Sequence, residues 1–257
     1  MAERRAEPGD FSVPPAARRR LACALTGRGA RRAALLLAIL ALCLSQATAA
    51  SAKSRFQRLL DRAGIPLTVP QSGKFILVNI PAFEVIAFRG GKPVIRSRAI
   101  VGKPWTRTPL RQTYVTSVRF RPTWRPTPSM VASGEYRDRI WPAGRDNPLG
   151  LAAIRLDPGF LVYLHDTNRR DLFAREKRAF SHGCVRVEKW DELVGFALDL
   201  DLATVHALAE GRQTFDMPSA PVPVLLGYFP TFPDADGDII RHDDIYGYGG
   251  HRNPAQQ

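Results

Sequence analysis

Between Phe75 and Val101 the chain reads FILVNIP, then FEVIAF, then PVIRSRAIV, with Arg89-Gly90-Gly91-Lys92 between the last two runs. Short runs rich in β-branched and aromatic residues, joined by a Gly-Gly turn, fold as alternating strands of a meander. The same pattern returns in TYVTSVRF (113–120), which ends in the proline-broken loop RPTWRPTP. Residues 150–156 and 160–165 read as two strands across the turn Asp157-Pro158-Gly159, and PVPVLLGYF and GDIIRHDDI add two more. Helical spacing is confined to KSRFQRLLDRAG, a short piece within 130–140, KWDELVGFALDL and LATVHALAE, where Gly211 is placed to stop the last. The expectation is one mainly β domain, closed into a barrel-like or sandwich sheet, with short flanking helices.

The first 52 residues have a different composition. Eight arginines, the last two being Arg31-Arg32, come first, and the apolar run AALLLAILALCL (33–44) and the small-residue stretch SQATAASA follow. That order is the order of an export signal. Twelve apolar residues are short for a span of about 20, so a signal peptide fits better than an uncleaved N-terminal membrane anchor, which is the alternative. Without this segment 29 basic residues face 21 acidic ones, a net charge of +8. An exported basic domain suits anionic partners such as cell-wall polymer or a lipid surface, and no nucleic-acid motif accompanies the charge. The expected organisation is a leader at 1–52, a linker at 53–72, the main domain at 73–248 and a tail at 249–257.

Cysteine usage narrows the chemistry. Cys23 and Cys43 lie in the leader, so a processed chain keeps Cys184 alone, in FSHGCVRVEKW, and cannot build an internal disulfide. An unpaired thiol in an oxidising compartment is a liability unless it is buried or used. Use as an acyl-transfer nucleophile needs a base for its proton and donors for the developing oxyanion. His165 ends an expected strand, His182 lies two residues from the thiol, and Gly183 permits a turn that aims backbone N–H groups around Cys184. Against this, a lone cysteine in a β domain is often a small buried hydrophobe, and both histidines have structural readings as cap or core. A zinc site is the weaker alternative, because no second thiol and no HExxH pattern is present.

His165, fifteen intervening residues and then Ser181-His182-Gly183-Cys184 resemble the signature of the L,D-transpeptidase catalytic domain, the YkuD-like family. The stretches NIPAFEVIAFRGGKPVIRSRAIVGKPWTRTP, VYLHDTNRRDLFAREKRAFSHGCVRVE and VPVLLGYFPTFPDADGDIIRHDDIYG look like the larger YcbB-type members, covering most of residues 73–248. The resemblance implies Cys184 as nucleophile and His165 as general base, its ring oriented by the backbone carbonyl of Asp166. It implies His182 and Gly183 as residues that shape the turn and the oxyanion site, and Ser181 as a supporting hydroxyl. Arg186 falls where the YcbB-type branch has arginine, a substrate-carboxylate or site-supporting position. Tyr163, on the same strand face as His165, is expected to pack under the site. The sequence departs from that branch before the catalytic domain, where scaffold and wall-binding regions find no room, and between Trp124 and Gly150, where the insertion looks shorter.

The implied substrates are peptidoglycan stems, a tetrapeptide donor and a diamino-acid amine acceptor, with a wall-linked lipoprotein as a further candidate acceptor. The resemblance implies no cofactor, no metal and no nucleic-acid partner, and a location in the periplasm or cell envelope. A hydrolase with the same site and an inactive wall-binding domain are the competing readings. Asp234-Ala-Asp-Gly-Asp238 reads as a turn and not a calcium loop, since Ile245 stands where a bidentate glutamate belongs. His206, His242 and His251 read as structural or exposed. Trp105, Trp124 and Trp141 are candidates for a groove lining or for core plugs.

Overall fold

The computed structural model describes residues 53–256, and the expectations for the leader lie outside them. Helix α1 (Arg55–Arg62) comes first, followed by β1 (Lys74–Asn79), β2 (Glu84–Arg89), β3 (Lys92–Gly102) and β4 (Arg111–Phe120). A short helix α2 (Pro128–Ala132) precedes β5 (Ala152–Arg155), β6 (Leu164–His165), β7 (Ala179–Ser181) and β8 (Val185–Val187). Helices α3 (Trp190–Leu198) and α4 (Leu202–Glu210) lead into the long β9 (Phe215–Gly227), and β10 (Thr231–Pro233) pairs with β11 (Ile239–Arg241).

The strands run in the order β2-β1-β9-β4-β5-β6-β8-β3, and β3 pairs back onto β2, so the sheet closes into a barrel with β7 added beside β3. Closure removes the free edges that an open sheet of this size would expose. Two of the pairings that build the ring are parallel, β1 with β9 and β6 with β8. Sequence neighbours do not make these pairs. They join residues more than a hundred positions apart in one case and put His165 beside Arg186 in the other.

Strands β1 and β2 are buried on both faces. Ile76, Val78, Val85 and Ala87 point into the barrel core, while Phe75, Leu77, Ile86 and Phe88 form a second cluster with Phe56 and Leu60 of α1 and with Ile65, Leu67 and Val69. This corrects the linker expectation for residues 53–72, because the segment is a packed cover for the outer face of the meander. Gln57 fixes it in place: its amide nitrogen donates to the Leu67 carbonyl at 3.0 Å and its oxygen accepts from Val69 N–H at 2.7 Å. The described part of the tail, 249–256, is likewise docked, with Arg252 bridged to Tyr228 and Asn253 donating to the Pro66 carbonyl at 2.7 Å.

Other expectations shift in detail. The helix placed within 130–140 instead starts at Pro128, capped by the Thr127 side chain, because proline suits the first helical position. The strand placed at 160–165 shrinks to Leu164–His165, and the Leu161 carbonyl turns instead toward Cys184. Helices α3 and α4 fall where their spacing put them, with Asp201 capping α4 and Gly211 following it. Asp234 accepts three successive backbone N–H groups through one oxygen, the geometry of a turn.

Candidate active site

One groove of about 330 Å³ crosses the barrel wall where β6 and β8 run side by side. Cys184, His165, His182, Ser181, Arg186 and Tyr163 all line it. Six of the eight residues singled out from the sequence therefore meet in one place, and the other two, Gly183 and Asp166, support it from behind.

His165 is fully enclosed, with 4% of its surface exposed. Its Nδ1 contacts the Asp166 carbonyl oxygen, which only accepts, so Nδ1 carries the hydrogen and Nε2 keeps a free lone pair. Burial first, and then the nearby charge of Arg186, pull the His165 pKa down to about 3, outweighing the carbonyls of Asp166 and Leu149 that favour the charged form. The ring is therefore neutral and able to take a proton. Asp166 is itself anchored: its carboxylate accepts from Leu151 N–H at 3.0 Å and pairs with Arg170 at 2.9 Å. Gly150 makes that possible, since a Cβ there would lie 2.3 Å from the Asp166 carboxylate and its φ of +64° disfavours other residues.

Burial pushes the Cys184 thiol up, against the lowering influence of a backbone hydrogen bond at Tyr163 and of Arg186. The thiol points at the Leu161 carbonyl oxygen, 3.7 Å from Sγ, and no hydrogen bond joins it to His165 among the described residues. The resting pair is thus a neutral thiol beside a neutral imidazole. Both line the same groove, and contacts of this kind commonly tighten only when substrate binds.

Gly183 adopts φ +112°, the turn the sequence called for, and a Cβ would approach the Arg107 carbonyl at 3.4 Å. Its N–H donates to Ser181 Oγ at 3.1 Å, and that hydroxyl in turn donates to the Cys184 carbonyl. Gly183 therefore shapes the turn without offering a free donor. The N–H of Cys184 carries no hydrogen bond among the described residues and is a backbone donor free to face an oxyanion. Thr106 and Thr108 hold the turn from outside, their hydroxyls donating to the carbonyls of Ser181 and Gly183 at 2.9 Å each.

Four arginines line the groove. Arg119 and Arg155 share Asp216, and Arg125 pairs with Asp138. Arg186 has neither an ion pair nor a hydrogen bond among the described residues, and burial pulls its pKa down. Glu135, absent from the sequence reading, reaches His182 Nε2 at 3.0 Å and Lys103 at 3.3 Å. No local motif announces it, because it approaches across some fifty residues of chain. Of the tryptophans, Trp124 lines the groove with Tyr136, Trp141 packs beside both, and Trp105 stands 78% exposed away from the lining.

The sequence model of the YkuD family, described as the L,D-transpeptidase catalytic domain, matches residues 73–223. The chain belongs to that family. A Haemophilus influenzae relative that carries a provisional L,D-transpeptidase name is 30% identical over 247 residues, covering 78% of this chain and 50% of its own length. A second, ErfK/SrfK of Escherichia coli, is 32% identical over 147 residues, covering 51% of this chain and 45% of its own. The chain spans about half the length of the curated relatives it matches. A solved L,D-transpeptidase from Mycobacterium smegmatis aligns at TM-score 0.40 and 15% identity, covering 60% of this chain and 58% of that one. The YkuD match ends at Pro223, so β10, β11 and the docked tail lie beyond it.

Proposed function

We propose that the protein is a peptidoglycan L,D-transpeptidase in which Cys184 is the nucleophile and His165 the general base. The observation that carries this is the meeting of a neutral, oriented imidazole and the lone described thiol in one groove beside an unpaired guanidinium. Cys184 passes its proton to His165 Nε2 as sulfur attacks the carbonyl of the third residue of a tetrapeptide stem. The Cys184 N–H faces the oxyanion, and the imidazolium returns the proton to the departing D-alanine. A thioester remains, which an amine of a neighbouring stem or of a wall-attached protein displaces to give a 3-3 cross-link or an anchored protein.

Arg186 supplies the positive charge on the donor side and suits the carboxylate of the leaving D-alanine. Transfer is favoured over hydrolysis because thioesters discriminate for amines over water more strongly than oxygen esters do. The basic and then apolar order of the first 52 residues supports delivery to the periplasm or cell envelope.

With the full chain and tetrapeptide-bearing muropeptides, the expected products are D-alanine and a dimer mass, both absent in Cys184→Ala. Shortened stems without dimers would move the assignment to a hydrolase. Binding without an acyl adduct on Cys184 would leave a wall-binding module.

A further inference from the structure

The groove is electrically one-sided. Its arginines repel an ammonium group, yet the acceptor of the proposed reaction arrives as one. The aspartates that face those arginines are engaged: Asp216 holds Arg119 and Arg155, and Asp138 holds Arg125. Glu135, which contacts the groove-lining His182, is the exception. Its Oε2 contacts His182 and Lys103, while its Oε1 carries no hydrogen bond among the described residues.

His182 completes the arrangement. It lines the groove with Cys184, only Gly183 separating them in the chain. Its Nε2 lies 3.0 Å from Glu135 Oε2, an atom that only accepts, which favours the tautomer with hydrogen on Nε2; Nδ1 has no hydrogen-bond partner among the described residues. The charges that face the ring are Glu135, Lys103 and Arg186. Burial leads the balance among them and keeps the ring neutral and ready to accept a proton.

Resting on the transferase reading above, we propose that His182, oriented by Glu135, is the base for the acceptor amine, while His165 serves the sulfur. The acceptor R–NH₃⁺ enters on the Glu135 side and gives one proton to His182 Nδ1. The free amine attacks the thioester carbonyl, and the N–C bond forms. His165 takes the second proton from the tetrahedral adduct and returns it to Cys184 as the C–S bond breaks. The products are an amide, a neutral thiol and a protonated His182, so each proton of the ammonium is placed. The geometry separates the two bases: His165 is enclosed with Nδ1 tied to the Asp166 carbonyl, whereas His182 lines the groove with Nδ1 unpartnered among the described residues.

The test separates the two half-reactions in the full chain. Acylation by a tetrapeptide donor is followed by intact mass. The adduct is then partitioned between water and a tripeptide stem ending in a diamino acid, or hydroxylamine, which is largely unprotonated at neutral pH. The readout for His182→Asn and Glu135→Gln is the ratio of aminolysis to acylation, so that any general loss at the oxyanion site, which slows both steps, is divided out. Relative to acylation, aminolysis by the diamino-acid stem should fall by roughly 10²-fold in His182→Asn, the scale of a lost general base, and less in Glu135→Gln. Hydroxylaminolysis should stay near wild type in both, since that nucleophile needs no prior deprotonation. Equal losses with the two nucleophiles, or acylation falling in step with transfer in the surface variant Glu135→Gln, would overturn the inference and leave His182 a structural residue. A wild-type chain that takes up no acyl group would overturn the transferase reading itself, and the inference with it.

Discussion

At the scale of single residues, Cys184 and His165 show how burial sets chemistry. Burial raises the thiol and lowers the imidazole, so both move toward their neutral forms. A preformed thiolate–imidazolium pair would require the opposite shifts. Alkylation of Cys184 by iodoacetamide should accordingly climb with pH through the alkaline range and show no plateau between pH 5 and 7, measured as single-turnover rates by intact mass. A reactive plateau in that acidic range would mean that the ion pair exists before substrate arrives. The sequence offered the spacing between the two residues but not their protonation, which depends on how many atoms surround each. Gly183 illustrates the same limit, because its positive φ was legible while the capture of its N–H by Ser181 was not.

At the scale of elements, α1 is the instructive case. Its residues read as a basic linker because Arg55, Arg58 and Arg62 dominate its composition. Phe56 and Leu60, four positions apart, nevertheless lie on one face, and that face covers Phe75, Leu77, Ile86 and Phe88. Strands with both faces buried lose the simple alternation of a half-exposed sheet, so FILVN and EVIAF needed a cover that the local pattern did not identify. Leu60→Ala should cost about 2–5 kcal/mol of stability, as expected for a fully buried leucine, read from urea unfolding of the full chain. A change below about half a kcal/mol, the range of surface sites, would return the segment to the status of a linker. The opposite error occurs at residues 160–165, where an apparent strand is mostly groove wall.

For the whole molecule, barrel closure buries a neutral histidine in the wall of the groove and so links activity to acid tolerance. His165 has a folded pKa of about 3 against an ordinary value of 6.5. Above pH 6.5 neither state holds the extra proton, and stability is full. As pH falls from 6.5 toward 3, the unfolded chain gains a proton that the folded chain refuses, and stability declines with it. His165→Gln should flatten the fall in unfolding midpoint across that window, measured by thermal melts at stepped pH. An unchanged slope would show that His165 is not the group responsible. His182, His242 and His251 are also shifted downward by burial and retain their contribution in the variant.

The mainly β character, the Gly90-Gly91 turn, the helices α3 and α4 and the Cys184–His165 motif were all determined by the sequence itself. Each rests on short-range rules: strand propensity, turn geometry, capping and fixed spacing within a few dozen residues. The tertiary structure decided the parallel pairings that close the barrel, the docking of α1 and the tail, the isolation of Arg186 and the approach of Glu135 to His182. Those depend on contacts between distant parts of the chain and on which charges lose their water there, and neither is encoded in any local window.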